Sequence, residues 1–265
     1  RMEKRGKIMG INKNTEIFEG RGKAYVQGRP GYAPQALEAL EALAPASSFP
    51  VAVDMGAGTG ILSRELLRLG HEVLAVEPND SMRQRARQAL QGETRCRLIA
   101  ATAEDSGLPQ GCADLIAAAS AFHWFGLEAF RAECLRLLRP GGWVFLLCNA
   151  RREDEAISRE QDELCRRLLP AYESLDHGYR YTLRAAERFF APGYRCLRFP
   201  FDLDYTPERF VQRSLSSSYA LRPGEEGYQA FVEGLESLAA RHAREGVLRV
   251  GNDSVLWAGQ PAPNA

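Results

Sequence analysis

Between Val51 and Asn149 the chain alternates short apolar runs with amphipathic stretches, and this alternation leaves few folds open. The strand-like runs are "VAVDM" (51–55), "EVLAVE" (72–77), "CRLIA" (96–100), "DLIAAAS" (114–120) and "WVFLLCN" (143–149). Helix-like stretches at 62–69, 81–90 and 127–138 lie between them. Strands this short and apolar, joined by helical crossovers, predict right-handed βαβ units and a parallel sheet covered on both faces. Gly70 stops the first helix, and Arg139-Pro140-Gly141-Gly142 marks a turn before the fifth strand. With 265 residues, 45% of them hydrophobic, the chain can bury one substantial core and an appended lobe.

The flanks complete the architecture. "YVQGRPGYAPQALEALEAL" predicts a loop feeding a helix over 34–43. Residues 151–193 read as charge-rich helices, and "YRCLRFPFDLDYT" (194–206) alternates like an edge strand. "PERFVQRSLSSSYAL" and "GYQAFVEGLESLAARHAREG" predict further helices, and "VLRVGNDSVLWAG" a hairpin or final strand around Asn252-Asp253. The expectation is one α/β Rossmann-like domain over 1–265, with an N-terminal lid at 10–45 and helical cap elements at 150–193 and 207–245. Acids and bases interleave at helical spacing in 151–167, the pattern of a solvated helix face.

Bulk properties narrow the partners. Lys+Arg and Asp+Glu each number 34, so no net field recruits nucleic acid or an anionic membrane, and a small-molecule partner is expected. The six cysteines carry no CxxC pair, and with four dispersed histidines they give no zinc spacing; no metal is expected, and free thiols fit a cytoplasmic protein. No apolar run reaches membrane-spanning length. The basic "RMEKRGKIMG" leads into polar "INKNTE" and not into an apolar signal core. Met2 and Met9 each read as a native start, with Arg1 a remnant. A monomer and a homodimer fit equally.

The first strand ends in "VDMGAGTG". A dinucleotide fingerprint needs glycine at the sixth position of GxGxxG, where this chain has Ile61, and a phosphate-cradling Walker loop needs a lysine that is absent. Asp54, two residues before Gly56, would repel a pyrophosphate seated on the helix N-terminus. It suits a ligand with an ammonium group and no phosphate, and S-adenosylmethionine is such a ligand. Glycines let backbone approach it closely. Glu77 closes the second strand, where a carboxylate can accept both ribose hydroxyls, as it does in enzymes that bind NAD.

These residues resemble the class I S-adenosylmethionine-dependent methyltransferases, specifically the type 11 small-molecule group. "VDMGAGTG" looks like the first motif, "VEPNDSM" the second, "ATAEDSGLPQGCADLI" the adenine-binding segment and "LRPGGWVF" the turn into strand five. The resemblance implies a mostly parallel seven-stranded sheet with helices on both faces and a helical cap. It implies a cofactor site of Asp54, Gly56, Ala57, Gly58, Glu77, Pro78, Met82 and Ser120. Many relatives have Gly-Asp-Ala where this chain has Ala101-Thr102-Ala103, so the adenine contacts fall to the Ala103 backbone and the Glu104 carboxylate. "FEGRGKAYVQGRPGY" is similar to the group's lid, whose tyrosine and arginine reach the methionyl carboxylate; here these are Tyr25 and Arg29.

Catalytic candidates gather where ligands sit in open α/β sheets, beyond the strand carboxyl ends. His123, in "SAFHWF", reads either as a general base or as a pocket wall. Asn149 reads as an orienting group or a helix cap. Tyr172, Tyr179 and the run "SLSSSY" with Ser214 would supply cap aromatics and hydroxyls near a sulfonium. Arg180 and Arg184 are weaker candidates to meet an acidic substrate. Three functions follow. The first is methyl transfer to a small metabolite, as in trans-aconitate methyltransferase-like proteins. The second is cyclisation of S-adenosylmethionine itself to azetidine-2-carboxylate and methylthioadenosine, which the same cap would serve. The third is a non-enzymatic S-adenosylmethionine-binding partner.

Overall fold

The structure is a computed structural model and describes residues 30–169, 172, 178–217 and 219–263. A seven-stranded sheet dominates it, in the order β3-β2-β1-β4-β5-β9-β6. Its strands are β1 (Val51–Met55), β2 (Glu72–Val76), β3 (Cys96–Ile99), β4 (Ala113–Ala119), β5 (Leu138–Arg151), β6 (Arg195–Pro200) and β9 (Asn252–Gly259). β1 through β5 run parallel, and β9 lies antiparallel between β5 and β6. β7 (Leu203–Tyr205) and β8 (Leu248–Val250) pair separately as a small antiparallel ribbon.

The helices are α1 (Pro34–Leu43), α2 (Ile61–Arg68), α3 (Asp80–Ala89), α4 (Leu127–Leu137), α5 (Ala156–Leu168), α6 (Gly178–Phe189), α7 (Pro207–Leu215) and α8 (Tyr228–His242). Local chemistry starts several of them. Pro34 opens α1, the Asn79 side chain caps α3 by accepting from Met82 N at 3.0 Å, and Thr206 caps α7 just before Pro207. One sheet face is sealed by α1, α2 and α3, where Leu37, Leu40, Leu62 and Leu66 meet Leu115 and Phe145. The other packs Ile116, Leu146 and Trp257 against Phe130 of α4 and Phe189 of α6. Both faces of the central strands are therefore covered, as a parallel sheet demands.

The start of β5 departs from the sequence pattern. β5 begins at Leu138 and not at Trp143, because Leu138 pairs with Ala113 across an irregular register before the main ladder resumes at Leu115 and Trp143. Of the two readings of the C-terminal stretch, a hairpin or a final strand, the structure has the final strand: β8 joins β7, Gly251 intervenes, and β9 enters the main sheet. A side chain at Gly251 would collide with Glu155, whose Oε2 accepts from Gly251 N at 2.8 Å. Within the stretch expected to form the cap, α6 packs on the sheet. The cap cluster proper joins α5, α7 and α8 with the ribbon, through Leu164, Phe210, Phe231, Leu235 and Leu248.

Candidate active site

The strand order reverses between β1 and β4, and the carboxyl ends of these two strands open a crevice. Gly56 and Ala57 donate to the Val76 carbonyl at 2.9 and 3.0 Å, folding the loop after β1 over the end of β2. Gly56 (φ +68°) lies so close to the turn after β4 that a Cβ would sit 2.7 Å from Ala121 Cβ and 3.0 Å from the Phe125 ring. Gly58 is also left-handed (φ +57°), but its missing side chain would meet nothing nearer than 3.9 Å. The first glycine serves packing and the second leaves an open backbone cradle, which fits a ligand pressed against the loop. Gly58→Ala should lower stability by roughly 1–2 kcal/mol from strain alone, read from urea unfolding, and should also fill part of the cradle.

Across the crevice Ser120 holds φ +52°, an uncommon conformation for a residue with a side chain. Its N–H donates to Leu147 O at 2.7 Å, and its hydroxyl lies 3.4 Å from the Tyr32 hydroxyl. The short helical turn Phe122–Trp124 follows and carries His123, whose ring lies against Trp124 with centroids 4.7 Å apart.

A cavity of about 470 Å³ begins at this crevice and extends beneath the cap. Of the residues singled out in the sequence, Asp54, Gly56, Ala57, Gly58, Ser120 and His123 line its sheet end. Asn149, Tyr172, Tyr179 and Ser214 line it farther along. Its size lies within the range of small-molecule sites.

The electrostatics centre on two acids. Asp54 is 1% exposed, and burial pushes its carboxyl up to about 7, against the lowering effect of the hydrogen bond donated by Ser63 Oγ at 2.6 Å; the Glu77 charge adds to the rise. Glu77 is also raised, by burial first, although the backbone N–H groups of Asn79 (2.8 Å) and Gly58 (2.9 Å) and the Arg83 charge oppose this. Its two oxygens thereby tie the glycine loop to the start of α3. Each still has a lone pair left over for a ligand hydroxyl.

Glu77, Pro78, Met82, Ala103 and Glu104 are not among the residues that line the cavity. The Pro78 carbonyl accepts from Arg83, Met82 is on the buried face of α3, and Ala103 is buried in the core. Glu104 Oε1 accepts from Gly126 N at 2.8 Å, at the start of α4. Asn149 donates to Gly31 O at 2.8 Å and accepts from Ser254 Oγ at 2.7 Å, while Ala33 N donates to the same Ser254 oxygen at 2.8 Å. It thus anchors residues 31–33 over the sheet and does not cap a helix. Ser214 donates to Phe210 O and accepts from Gln161 Nε2 at 3.1 Å. Tyr172 donates to Asp162 at 2.8 Å, and burial raises its hydroxyl pKa. The Tyr179 ring lies under the Arg198 guanidinium at 4.7 Å. Tyr25 and Arg29 lie outside the described residues.

The solvated-face reading of 151–167 needs correction. Gln161 and Asp162 are buried, and Arg151 hydrogen-bonds both of them at the cavity wall. The signal was the spacing: both sit on the same helix face as Ile157, Leu164 and Cys165, which are core residues. Ser63, Tyr32 and Arg213 also belong to the site or its support, and single-sequence patterning carried no sign of them. Among the described residues no cluster of His, Cys, Asp and Glu could hold a metal, and no helix is long and apolar enough to cross a membrane.

Comparison with known proteins agrees with this geometry. A family model described as a methyltransferase domain matches residues 53–146, which run from β1 to the middle of β5. An uncharacterized methyltransferase of Mycobacterium tuberculosis is 38% identical over 141 residues, 53% of this chain and 55% of that protein. A putative methyltransferase of Dictyostelium discoideum is 31% identical over 51% of this chain and 49% of its own length. The chain thus spans about half the length of these curated relatives. A solved structure, described as a putative type II methyltransferase from Anaeromyxobacter dehalogenans, superposes with a TM-score of 0.63 at 26% identity. That superposition covers 89% of this chain and 99% of the other. The matched core over residues 53–146, the strand order and the superposition over most of the chain together give this protein the Rossmann-like fold of methyltransferases.

Proposed function

We propose that the chain is an enzyme that transfers the methyl group of S-adenosylmethionine to a small metabolite. One observation carries this reading: a single cavity joins the Asp54–glycine loop at the sheet end to a chamber under the cap. The sheet end would take the cofactor, with Asp54 facing its cationic aminoacyl portion and Glu77 its ribose hydroxyls. The cap end would take the acceptor. Methyl transfer is an in-line displacement, and holding the two partners aligned in one cavity supplies much of its catalysis. The acceptor atom forms the new bond to carbon as the S–CH₃ bond breaks, with its electron pair returning to sulfur.

The same chemistry on S-adenosylmethionine alone would close an azetidine ring and needs side chains to hold the substrate amine. Asn149 and Ser214, the residues best suited to that task, are both engaged with protein partners. This favours an external acceptor. Incubating the protein with S-adenosylmethionine and identifying the adenosine product by mass spectrometry tests the assignment. S-adenosylhomocysteine that appears only with added metabolites is expected. Methylthioadenosine formed from the cofactor alone, above a protein-free control, would replace methyl transfer with cyclisation.

His123 lines the cavity at its sheet end, beside Ser120. If it removes a proton from the acceptor, His123→Ala should slow turnover by at least about a hundredfold at an unchanged cofactor affinity. A change of a few fold would assign it to the wall.

A further inference from the structure

On the sheet face that α1 covers, apolar packing gives way to a polar pair. Leu147 of β5 and Leu256 of β9 are strand partners and share a core cluster with Leu37 and Leu40 of α1. Two residues farther along both strands, on the same face, the partners are Asn149 and Ser254. Ser254 is fully buried, accepts from Ala33 N at 2.8 Å and donates to Asn149 Oδ1 at 2.7 Å. Asn149 Nδ2 in turn donates to Gly31 O at 2.8 Å. The serine hydroxyl commits its proton to the amide oxygen, which leaves the amide nitrogen to face Gly31. This relay grips residue 31 by its carbonyl and residue 33 by its N–H, so it holds the chain on both sides of Tyr32.

We propose that Tyr32 forms part of the wall against which S-adenosylmethionine is held, and that Asn149 and Ser254 act on the cofactor through Tyr32, as positioning residues. This rests on the cofactor placement in the methyl-transfer reading above and adds a side chain to that same end of the cavity. Tyr32 packs against the α1-side core, and it lines the cavity together with Asp54, Gly56 and Ser120. Its hydroxyl lies 3.4 Å from Ser120 Oγ, and Ser120 is itself set by a left-handed backbone at φ +52°. Two separately fixed backbones, the strap at 31–33 and the turn after β4, thus meet at the sheet end. An aromatic wall offers a ligand a large contact area, and it does so at low entropic cost when its own backbone is already fixed. Only a group that both donates and accepts can serve at position 149, since it must meet a carbonyl on one side and a hydroxyl proton on the other.

Calorimetric titration with S-adenosylhomocysteine, run as a double-mutant cycle, tests the proposal. Tyr32→Ala should weaken binding at least about tenfold, and Asn149→Ala about three- to tenfold, because a loosened strap presents Tyr32 correctly only part of the time. The double variant should bind within about twofold of Tyr32→Ala alone, since the relay then has no ring left to position. A purely structural role for Asn149 would cost affinity equally in both backgrounds. Losses that multiply in the double variant would therefore overturn the positioning role, and Tyr32→Ala binding like wild type would overturn the cofactor contact. Ser254→Ala runs the same cycle from the buried end of the relay, with the same two outcomes. Tyr32→Leu, which keeps apolar bulk against the core, takes the place of Tyr32→Ala if urea unfolding shows that variant to be unfolded. Failure of the wild-type protein to bind S-adenosylhomocysteine would instead overturn the methyl-transfer reading, and this proposal with it.

Discussion

Asp54→Asn should weaken S-adenosylmethionine binding tenfold to a hundredfold at pH 8 and should flatten its pH dependence below neutrality. The loss corresponds to roughly 1–3 kcal/mol, the usual worth of a buried interaction with a charged group. The pH effect follows from burial, which holds the free carboxyl at about 7. A cation bound beside it favours the ionised form and lowers that pKa, so binding below pH 7 must release a proton. The wild-type affinity should therefore rise with pH, by up to about tenfold per unit, and level off above about pH 7. Asparagine still accepts the Ser63 hydroxyl but has no proton to lose, and any titration of the ligand itself appears in both proteins. The free protein should show the opposite sign in stability. The unfolded carboxyl ionises near its ordinary value, so between about pH 4 and 7 the folded state binds more protons and its stability falls as pH rises. Asp54→Asn should remove that fall and melt higher than wild type at pH 8 without ligand. Parallel pH profiles for the two proteins in calorimetry would show that Asp54 does not face the bound cation.

How legible this was depended on the range of the interaction. β1, β2 and β4 were readable because each is a local apolar run bounded by its own turn, and burial on both faces removes the alternation that would mark a half-exposed strand. The glycines after β1 were readable because the left-handed backbone there favours that residue type, and Asp54 because a charged residue stands out in an apolar strand. The insertion of β9 between β5 and β6 was not, since it depends on pairings across about fifty to a hundred residues that leave no local mark. Side-chain partners were less legible still. Asn149 was visible as a polar residue at a strand end, but its bonds to Gly31 and Ser254 come from opposite ends of the chain. The inner face of α5 misled because Gln161 and Asp162 look like solvent-facing residues until Arg151 is brought beside them.

Glu77→Ala should cost both stability and cofactor affinity, and the way the two losses divide distinguishes a scaffold from a ligand contact. The carboxylate accepts from Gly58 N and Asn79 N, so its removal leaves two backbone donors at a buried corner with no acceptor. Charge-assisted bonds contribute roughly 1.5–3 kcal/mol each, and relief of carboxylate burial offsets part of that, for a net loss of roughly 2–4 kcal/mol in urea unfolding. Loosening Gly58 also disorders the cradle, so alanine alone would weaken S-adenosylmethionine even if Glu77 never touched the ribose. Glu77→Gln separates the effects. The amide oxygen keeps one backbone bond and much of the loop geometry, but the group loses its charge and turns one acceptor into a donor. If the carboxylate holds the ribose hydroxyls, glutamine should retain most of the unfolding midpoint and still bind S-adenosylmethionine at least tenfold more weakly. Affinity that falls only in step with stability across both variants would make Glu77 a brace for the loop, and the ribose contact would have to come from elsewhere in the site.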